Sequence, residues 1–411
     1  MFFAQNNNRQ IPKEDTTFAL NSRAKKMIEE KGKEKVLNAT LGALLDDQGE
    51  LALMDTVVQE SKKLQAKDFF EYAPIKGLPA YREAVILDLF RDYKPKRFVE
   101  AVATTGGTGS IYNAIANYSK RGDRVLTSNW YWDPYNGLCQ QQERILESFN
   151  FFDQAGNFNI DDLADKIKKI ALEQARLLIL LNTPSHNPTG YSLSKSDWDQ
   201  LIRILNDPEL SHTSITLLVD IAYIEFSGDI TESRMFLRRL DELNDNILAL
   251  IGYSASKSYT SYGARTGAII CMAPNKEIAD EFLRVSEFSS RNTWSNISRA
   301  GQTIIANICK DPKKLAKIDH EREVFRQMLK DRGRAFEREA KKLNLKMVPF
   351  KDGFFACIAC DRPKELSQAL EKKGAFVLPL KMGVRISIAS LSKDKCIKMA
   401  NLIAETLKEM E

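Results

Sequence analysis

Ala175-Arg-Leu-Leu-Ile-Leu-Leu181-Asn182-Thr-Pro-Ser-His-Asn187-Pro-Thr-Gly190 sets a continuous apolar run directly before a polar, turn-rich segment. A second run, Ile215-Thr-Leu-Leu-Val219, ends the same way on Asp220-Ile-Ala-Tyr223. Short apolar runs without polar alternation suit strands covered on both faces, as in a parallel sheet flanked by helices. Outward from this pair the pattern continues. Strands are expected at Val99–Thr104, Asp123–Thr127, Ala175–Leu181, Thr216–Asp220, Ile247–Tyr253 and Ala268–Met272. Helices are expected at Ser110–Ser119, Ile160–Glu173 and Lys195–Leu205. Such alternation predicts an α/β domain with a mainly parallel sheet and helices on both faces.

The flanks read differently. Helical stretches are expected over Ser22–Lys33, from Leu51 to about Lys67, and after Pro79, with a turn at Asp46-Asp-Gln-Gly49. A charged helical region is expected to run from Asn296 past Asp311-Pro312 to about Leu343. Beyond it, strands Phe354–Cys360 and Val384–Ala389 around helix Lys364–Lys373 read as a smaller α+β domain. The expected division is 1–52 contributing to the small domain, 53–311 the large domain and 312–411 the small C-terminal domain. At 411 residues the chain can bury a large core without disulfides or a structural metal.

Composition excludes several classes. Sixty basic against 55 acidic residues leave a charge of +5, too small an excess at this length to argue for a nucleic-acid or membrane partner. No apolar run approaches the ~20 residues of a membrane span. The stretch Met1-Phe-Phe-Ala-Gln-Asn-Asn-Asn8 lacks the basic start and apolar core of a signal peptide. Of six cysteines only Cys357 and Cys360 are close, and no second CxxC or CxxH completes a metal site, so they read as part of a buried strand. Reduced thiols fit a cytoplasmic protein. Three scattered histidines, at 186, 212 and 320, do not make a metal site, and none is expected.

In open α/β sheets ligands bind beyond the carboxyl ends of the strands. Three blocks of polar residues fall there: Asn187-Pro-Thr-Gly190, Asp220-Ile-Ala-Tyr223, and Ser254-Ala-Ser-Lys257 with Arg265-Thr-Gly267 eight residues on. Taken singly, the first is an ordinary turn, Asp220 a strand-end cap, and Lys257 and Arg265 surface cations. Together and in this order they resemble the pyridoxal-phosphate-dependent aminotransferases of fold type I, classes I and II, across essentially the whole chain. That resemblance implies a large domain with a seven-stranded, mainly parallel sheet that binds pyridoxal 5′-phosphate.

It also implies roles that fit the chemistry. Lys257 would carry the cofactor as a Schiff base and shuttle a proton between the amino acid and the cofactor. Asp220 would pair with the pyridinium nitrogen, and Asn187 and Tyr223 would hydrogen-bond the phenolate oxygen. Ser254 and Arg265 would take the phosphate. Gly106-Gly-Thr-Gly109 opens a helix, so Gly107 and Thr108 are expected at the phosphate as well. A dinucleotide fingerprint is excluded there, because Tyr112 stands where GxGxxG needs its third glycine. Trp130 resembles the aromatic residue that stacks on the cofactor ring. Arg385, inside the apolar strand Val384-Arg-Ile-Ser-Ile-Ala389, matches the family's arginine for the substrate α-carboxylate. Asn187 and Trp130 would contact substrate too.

Two further blocks resemble the aspartate and aromatic branch. Tyr72-Ala-Pro-Ile-Lys-Gly77-Leu-Pro79 resembles the segment whose tyrosine reaches the phosphate in the neighbouring subunit. Arg291-Asn-Thr-Trp-Ser-Asn296 resembles the segment whose arginine binds a dicarboxylate's distal group across the dimer. The implied protein is a homodimer with shared active sites, moving an amino group by a ping-pong mechanism. The donor would be aspartate or an aromatic amino acid, and the acceptor a 2-oxo acid such as 2-oxoglutarate. Departures exist. In the aspartate enzymes a histidine three residues after the stacking tryptophan backs the cofactor's aspartate, whereas Trp130 is followed by Tyr131-Trp132-Asp133. The substrate loop near the N-terminus is altered to Leu41-Gly-Ala-Leu-Leu45. A lyase of the same fold, such as a C–S β-lyase, keeps Lys257 and Asp220 without needing Arg291. A non-catalytic effector-binding relative would not need the lysine.

Overall fold

The two apolar runs lie side by side at the centre of the computed structural model, which describes residue 3, residues 9–12 and residues 14–411. The stretch weighed as a signal peptide thus lies outside the described residues apart from Phe3. In chain order the strands are β1 (Leu37–Ala39), β2 (Phe98–Thr105), β3 (Arg124–Ser128), β4 (Ile145–Phe149), β5 (Arg176–Asn182) and β6 (Ser214–Asp220). Then follow β7 (Ile247–Ser254), β8 (Thr266–Ala273), β9 (Phe355–Ala359), β10 (Ala375–Leu380) and β11 (Gly383–Ser387). Strands β5 and β6 pair in parallel from Arg176 opposite Ser214 to Asn182 opposite Asp220. Leu177 to Leu181 and Ile215 to Val219 are all buried, as strands covered on both faces require.

The large sheet has seven strands in the order β2-β8-β7-β6-β5-β3-β4. All neighbouring pairs are parallel except those of β8, which runs antiparallel to both β7 and β2. This one reversal positions the site. It brings the start of β8 to the rim where β2 and β7 end, with Ser254 opposite Gly267 and Thr105 opposite Thr266. The sheet expected from the sequence is therefore present.

The second sheet has the order β1-β10-β11-β9, so a strand from residues 37–39 joins three from the last sixty. Its core is closed by Phe336 and Ala340 from the long helix Pro312–Lys342, Leu366 and Leu370 from helix Pro363–Lys372, and Met399 and Ile403 from helix Lys393–Met410.

Several elements differ from expectation. The glycine-rich helix starts at Gly106 rather than Ser110, because glycine at φ +68 can make the turn out of β2. The charged region after residue 296 is two helices, Arg299–Cys309 and Pro312–Lys342. Asp311 caps the second by accepting from the Lys313 and Lys314 N–H groups, and Pro312 suits its first turn. The expected helix after Leu51 is likewise two short ones, Asp55–Ser61 and Ala66–Phe70. Helix Thr16–Lys31 starts six residues earlier than expected, capped by Asp15 and stopped at Gly32. Strands β4 and β10 and helices Lys276–Thr293 and Lys393–Met410 were not expected.

Candidate active site

Parallel strands ending in register put Asn182 beside Asp220, and Asp220 beside Gly252, on one rim. The polar blocks read from sequence converge there. Asp220 is buried, with its Oδ2 accepting from the Tyr135 hydroxyl at 2.7 Å and its Oδ1 from the Ala222 N–H at 3.1 Å. Burial pushes its pKa up, while the Tyr135 bond, the Ala222 N–H and the charge of Lys257 pull it back.

Lys257 follows β7 in a short helical turn, Ala255–Ser258. Its Nζ lies 5.1 Å from the centroid of the Tyr223 ring. Burial lowers its pKa to about 8; Asp220 opposes this, and Arg265 and Arg385 add to it. A lysine poised there holds a reactive share of neutral amine near neutral pH.

Asn187 sits in a loop held from below, its N–H donating to Asn182 Oδ1 at 2.6 Å. Its amide donates to the Tyr223 hydroxyl at 3.4 Å and accepts from Arg385 Nη1 at 3.1 Å. Arg385 Nη2 donates to the Thr40 carbonyl at 2.7 Å, and the guanidinium lies 4.2 Å over the Phe355 ring. Arg385 is 5 % exposed, yet no carboxylate pairs with it among the described residues and its Nε has no partner. Buried charges normally carry a counterion. An unpaired buried guanidinium at a strand rim is built for an anionic ligand.

The opposite side of the rim is a cradle. A Cβ on Gly106 would fall 2.5 Å from Arg265 Nη2, and one on Gly107 would fall 3.1 Å from Ser254 Cβ. The glycines thus let the first turn of helix Gly106–Tyr118 press against Ser254 and Arg265. Arg265 is itself in the left-handed region at φ +51, with Nη1 on Ser256 Oγ at 3.2 Å and the Tyr262 carbonyl at 2.9 Å. Helix N–H groups, a hydroxyl and a forked cation are together a donor set that could hold a phosphate. Thr108 follows in the same turn, partly exposed. Lys257, Arg265 and Arg385 against the single carboxylate of Asp220 leave the rim net positive, which suits an anionic ligand.

Trp130 is buried after β3. His186, beside Asn187, meets Thr189 Oγ1 at 2.8 Å and the Trp130 backbone, and burial lowers its pKa to about 3. Burial holds its ring neutral, packed within the turn. Tyr72 is 84 % exposed and Arg291 is exposed with Nη1 on Ser295 Oγ at 2.7 Å, so these two stand apart from the buried cluster. Reasoning from sequence missed Tyr135, Asn182, Ser256 and Phe355. Asn182 and Ser256 lie inside the quoted rim segments and were open to reading. Tyr135 and Phe355 look like ordinary core aromatics.

Residues 34–403 match the family described as aminotransferase class I and II, and the chain belongs to that family. Its members use pyridoxal 5′-phosphate, and this chain is an aminotransferase with that cofactor. The crystal structure of an aminotransferase from Anaerococcus prevotii superposes with a TM-score of 0.95 at 35 % identity, covering 98 % of this chain and 99 % of that one. The aromatic-amino-acid aminotransferase of Escherichia coli is 26 % identical over 284 residues, 67 % of this chain and 69 % of its own length. The aspartate aminotransferase of Pseudomonas aeruginosa is 25 % identical over 303 residues, 72 % of this chain and 73 % of its own.

Proposed function

We propose that the chain forms a homodimeric aminotransferase whose amino donor is a dicarboxylate, aspartate before the aromatic amino acids, with 2-oxoglutarate as acceptor. The observation that carries an α-carboxylate-bearing substrate is Arg385, buried without a carboxylate partner beside Asn187; the dicarboxylate preference rests on the resemblance of the Arg291 segment. Relatives named for both aspartate and aromatic substrates support the same class.

When bound, pyridoxal phosphate supplies an electron-withdrawing ring that stabilises charge at the amino acid's α-carbon. The chain does the rest. Ser254, Arg265 and the N–H groups of Gly107 and Thr108 would hold the phosphate, and Trp130 would cover a ring face. Asp220 would hold the positive ring nitrogen, while Asn187 and Tyr223 would bond the ring oxygen. Arg385 would fix the α-carboxylate, and Lys257 Nζ would take the α-proton and return it one step later. Arg291 and Tyr72 would act on the neighbouring subunit's site. Asn296 Nδ2 donates to the Ala73 carbonyl at 3.2 Å and Lys76 pairs with Glu287 at 3.2 Å, so the two segments bearing them lie together.

The pairing of β1 with β10 supports two lobes, with 1–52 joining 312–411 around the large domain 53–311. Six free cysteines support a cytoplasmic enzyme. The test is a panel of amino donors read in single half-reactions from the cofactor spectrum. Aspartate or glutamate should react faster than phenylalanine, without pyruvate or ammonia release. Arg291→Ala should lower kcat/KM for aspartate by roughly 10²-fold, as loss of a charge-assisted bidentate contact does, and that for phenylalanine far less. Equal loss for both would show that Arg291 is not the distal clamp.

A further inference from the structure

We propose that Tyr135 is the positioning residue for the cofactor's ring nitrogen: its neutral hydroxyl orients Asp220 so that the carboxylate reserves its charge for a protonated ring nitrogen. The proposal rests on Asp220 meeting that nitrogen, as in the function proposed above.

The geometry is specific. Tyr135 stands in the first turn of helix Pro134–Gln141, 1 % exposed, with its ring edge-on to Trp132 at 5.7 Å between centroids. Its one hydroxyl hydrogen is spent on Asp220 Oδ2 at 2.7 Å. The other carboxylate oxygen takes the Ala222 N–H at 3.1 Å. Each oxygen thus has a fixed donor, which sets the plane of the carboxylate and favours its ionised form against burial. Both donors are uncharged. Among the described residues no Lys, Arg or His lies within ion-pair distance of Asp220. A cationic support would spend part of the Asp220 charge; a phenol does not.

His186 does not fill this place. His186 is committed to Thr189 and the Trp130 backbone. Asp133 stands three residues after Trp130, and Tyr135, five residues after it, reaches Asp220. Burial and the neighbouring Asp220 push the Tyr135 phenol well above its ordinary ionisation range, so it stays a donor at every working pH. A histidine there would titrate; this support does not.

The experiment uses the apoprotein, prepared by resolving the holoenzyme, and measures dissociation constants for pyridoxamine 5′-phosphate and its 1-deaza analogue, in which CH replaces the ring nitrogen. Neither compound forms a covalent bond to Lys257. Tyr135→Phe should weaken pyridoxamine phosphate by ~10- to 100-fold, the worth of a hydrogen bond to a charged group. The deaza compound, with no ring proton to share, should bind the variant as it binds the wild type. Equal weakening of both compounds would mark Tyr135 as merely structural, and no weakening of either would remove the hydroxyl from the argument; each overturns the proposal. If Tyr135→Phe does not fold, 4-fluorophenylalanine at 135 fills the same space without a hydroxyl donor. It should weaken pyridoxamine phosphate relative to the deaza compound, and an unchanged ratio overturns the proposal. Failure of the wild-type protein to bind either compound would overturn the cofactor reading itself, and the proposal with it.

Discussion

Lys257 sits where a positive charge is expensive. Burial and the cations Arg265 and Arg385 disfavour its protonated form, and only Asp220 compensates. Its pKa therefore falls from 10.5 to about 8, and the neutral amine gains ground as pH rises through that value. Reconstitution of the apoprotein with pyridoxal phosphate should accelerate from pH 6 to about 8 and then level off, followed by the absorbance of the lysine-bound cofactor. A midpoint near 10.5 would show an unperturbed amine. Lys257→Ala should abolish that absorbance and turnover, costing upwards of ~10⁴-fold, as loss of a covalent acid–base residue does. At this scale much was legible. Asn187, Asp220, Tyr223, Ser254, Lys257 and Arg265 lie in three short blocks, each directly after or before an apolar strand. Tyr135 was not legible, because its partner is 85 residues away and a phenol after Pro134 reads as packing.

Elements were legible where burial on both faces leaves unbroken apolar runs, as in β5 and β6. Edge strand β4, Ile-Leu-Glu-Ser-Phe, carries polar residues because it has only one neighbour. Helix Lys276–Thr293 buries only one stripe, Ala279, Phe282, Ser286, Ser289 and Ser290, three of the five serine, which blurs the apolar period. A feature hidden altogether from sequence ties two helices to the large sheet. Asp88, on helix Pro79–Phe90, is fully buried and accepts from Arg322 on the long helix at 3.0 and 3.2 Å. Arg91 adds a bond at 2.8 Å, and the hydroxyls of Tyr253 and Tyr259 add two more at 2.8 and 2.9 Å. Removing one partner strands the others' charge and donors in the core. Asp88→Ala should lower unfolding free energy by about 3–5 kcal/mol, measured by denaturant titration. The arginines hold the Asp88 carboxyl below its ordinary 3.8, so its contribution is complete above about pH 4 and fades as pH falls further. The gap between wild type and variant should therefore shrink on acidification below pH 4; a constant gap would mean that Asp88 packs without acting as a charge.

Across the whole molecule, the net +5 says little, whereas the position of a few cations and aromatics says a great deal. Phe69, Phe70, Tyr72 and Phe288 are 61, 87, 84 and 71 % exposed. The hydrogen bond from Asn296 to Ala73 and the Lys76–Glu287 pair hold their two segments side by side. Large aromatics grouped on a surface favour a protein interface, and Arg291 stands on the same segment. In a two-fold dimer that surface would meet its own copy, carrying each chain's Tyr72 and Arg291 toward the other's site. A mixture then distinguishes shared from separate sites. On the proposed reading Lys257→Ala would be inactive through its own rim, and Arg291→Ala impaired toward aspartate through its partner's. A mixed dimer holds one site with both defects and one with neither, so unfolding and refolding the two variants together should restore about a quarter of wild-type aspartate activity. If Arg291 served its own chain, both sites of the mixed dimer would carry one defect each. Activity would then stay at the level of the Arg291→Ala protomers alone, and the shared site would fall.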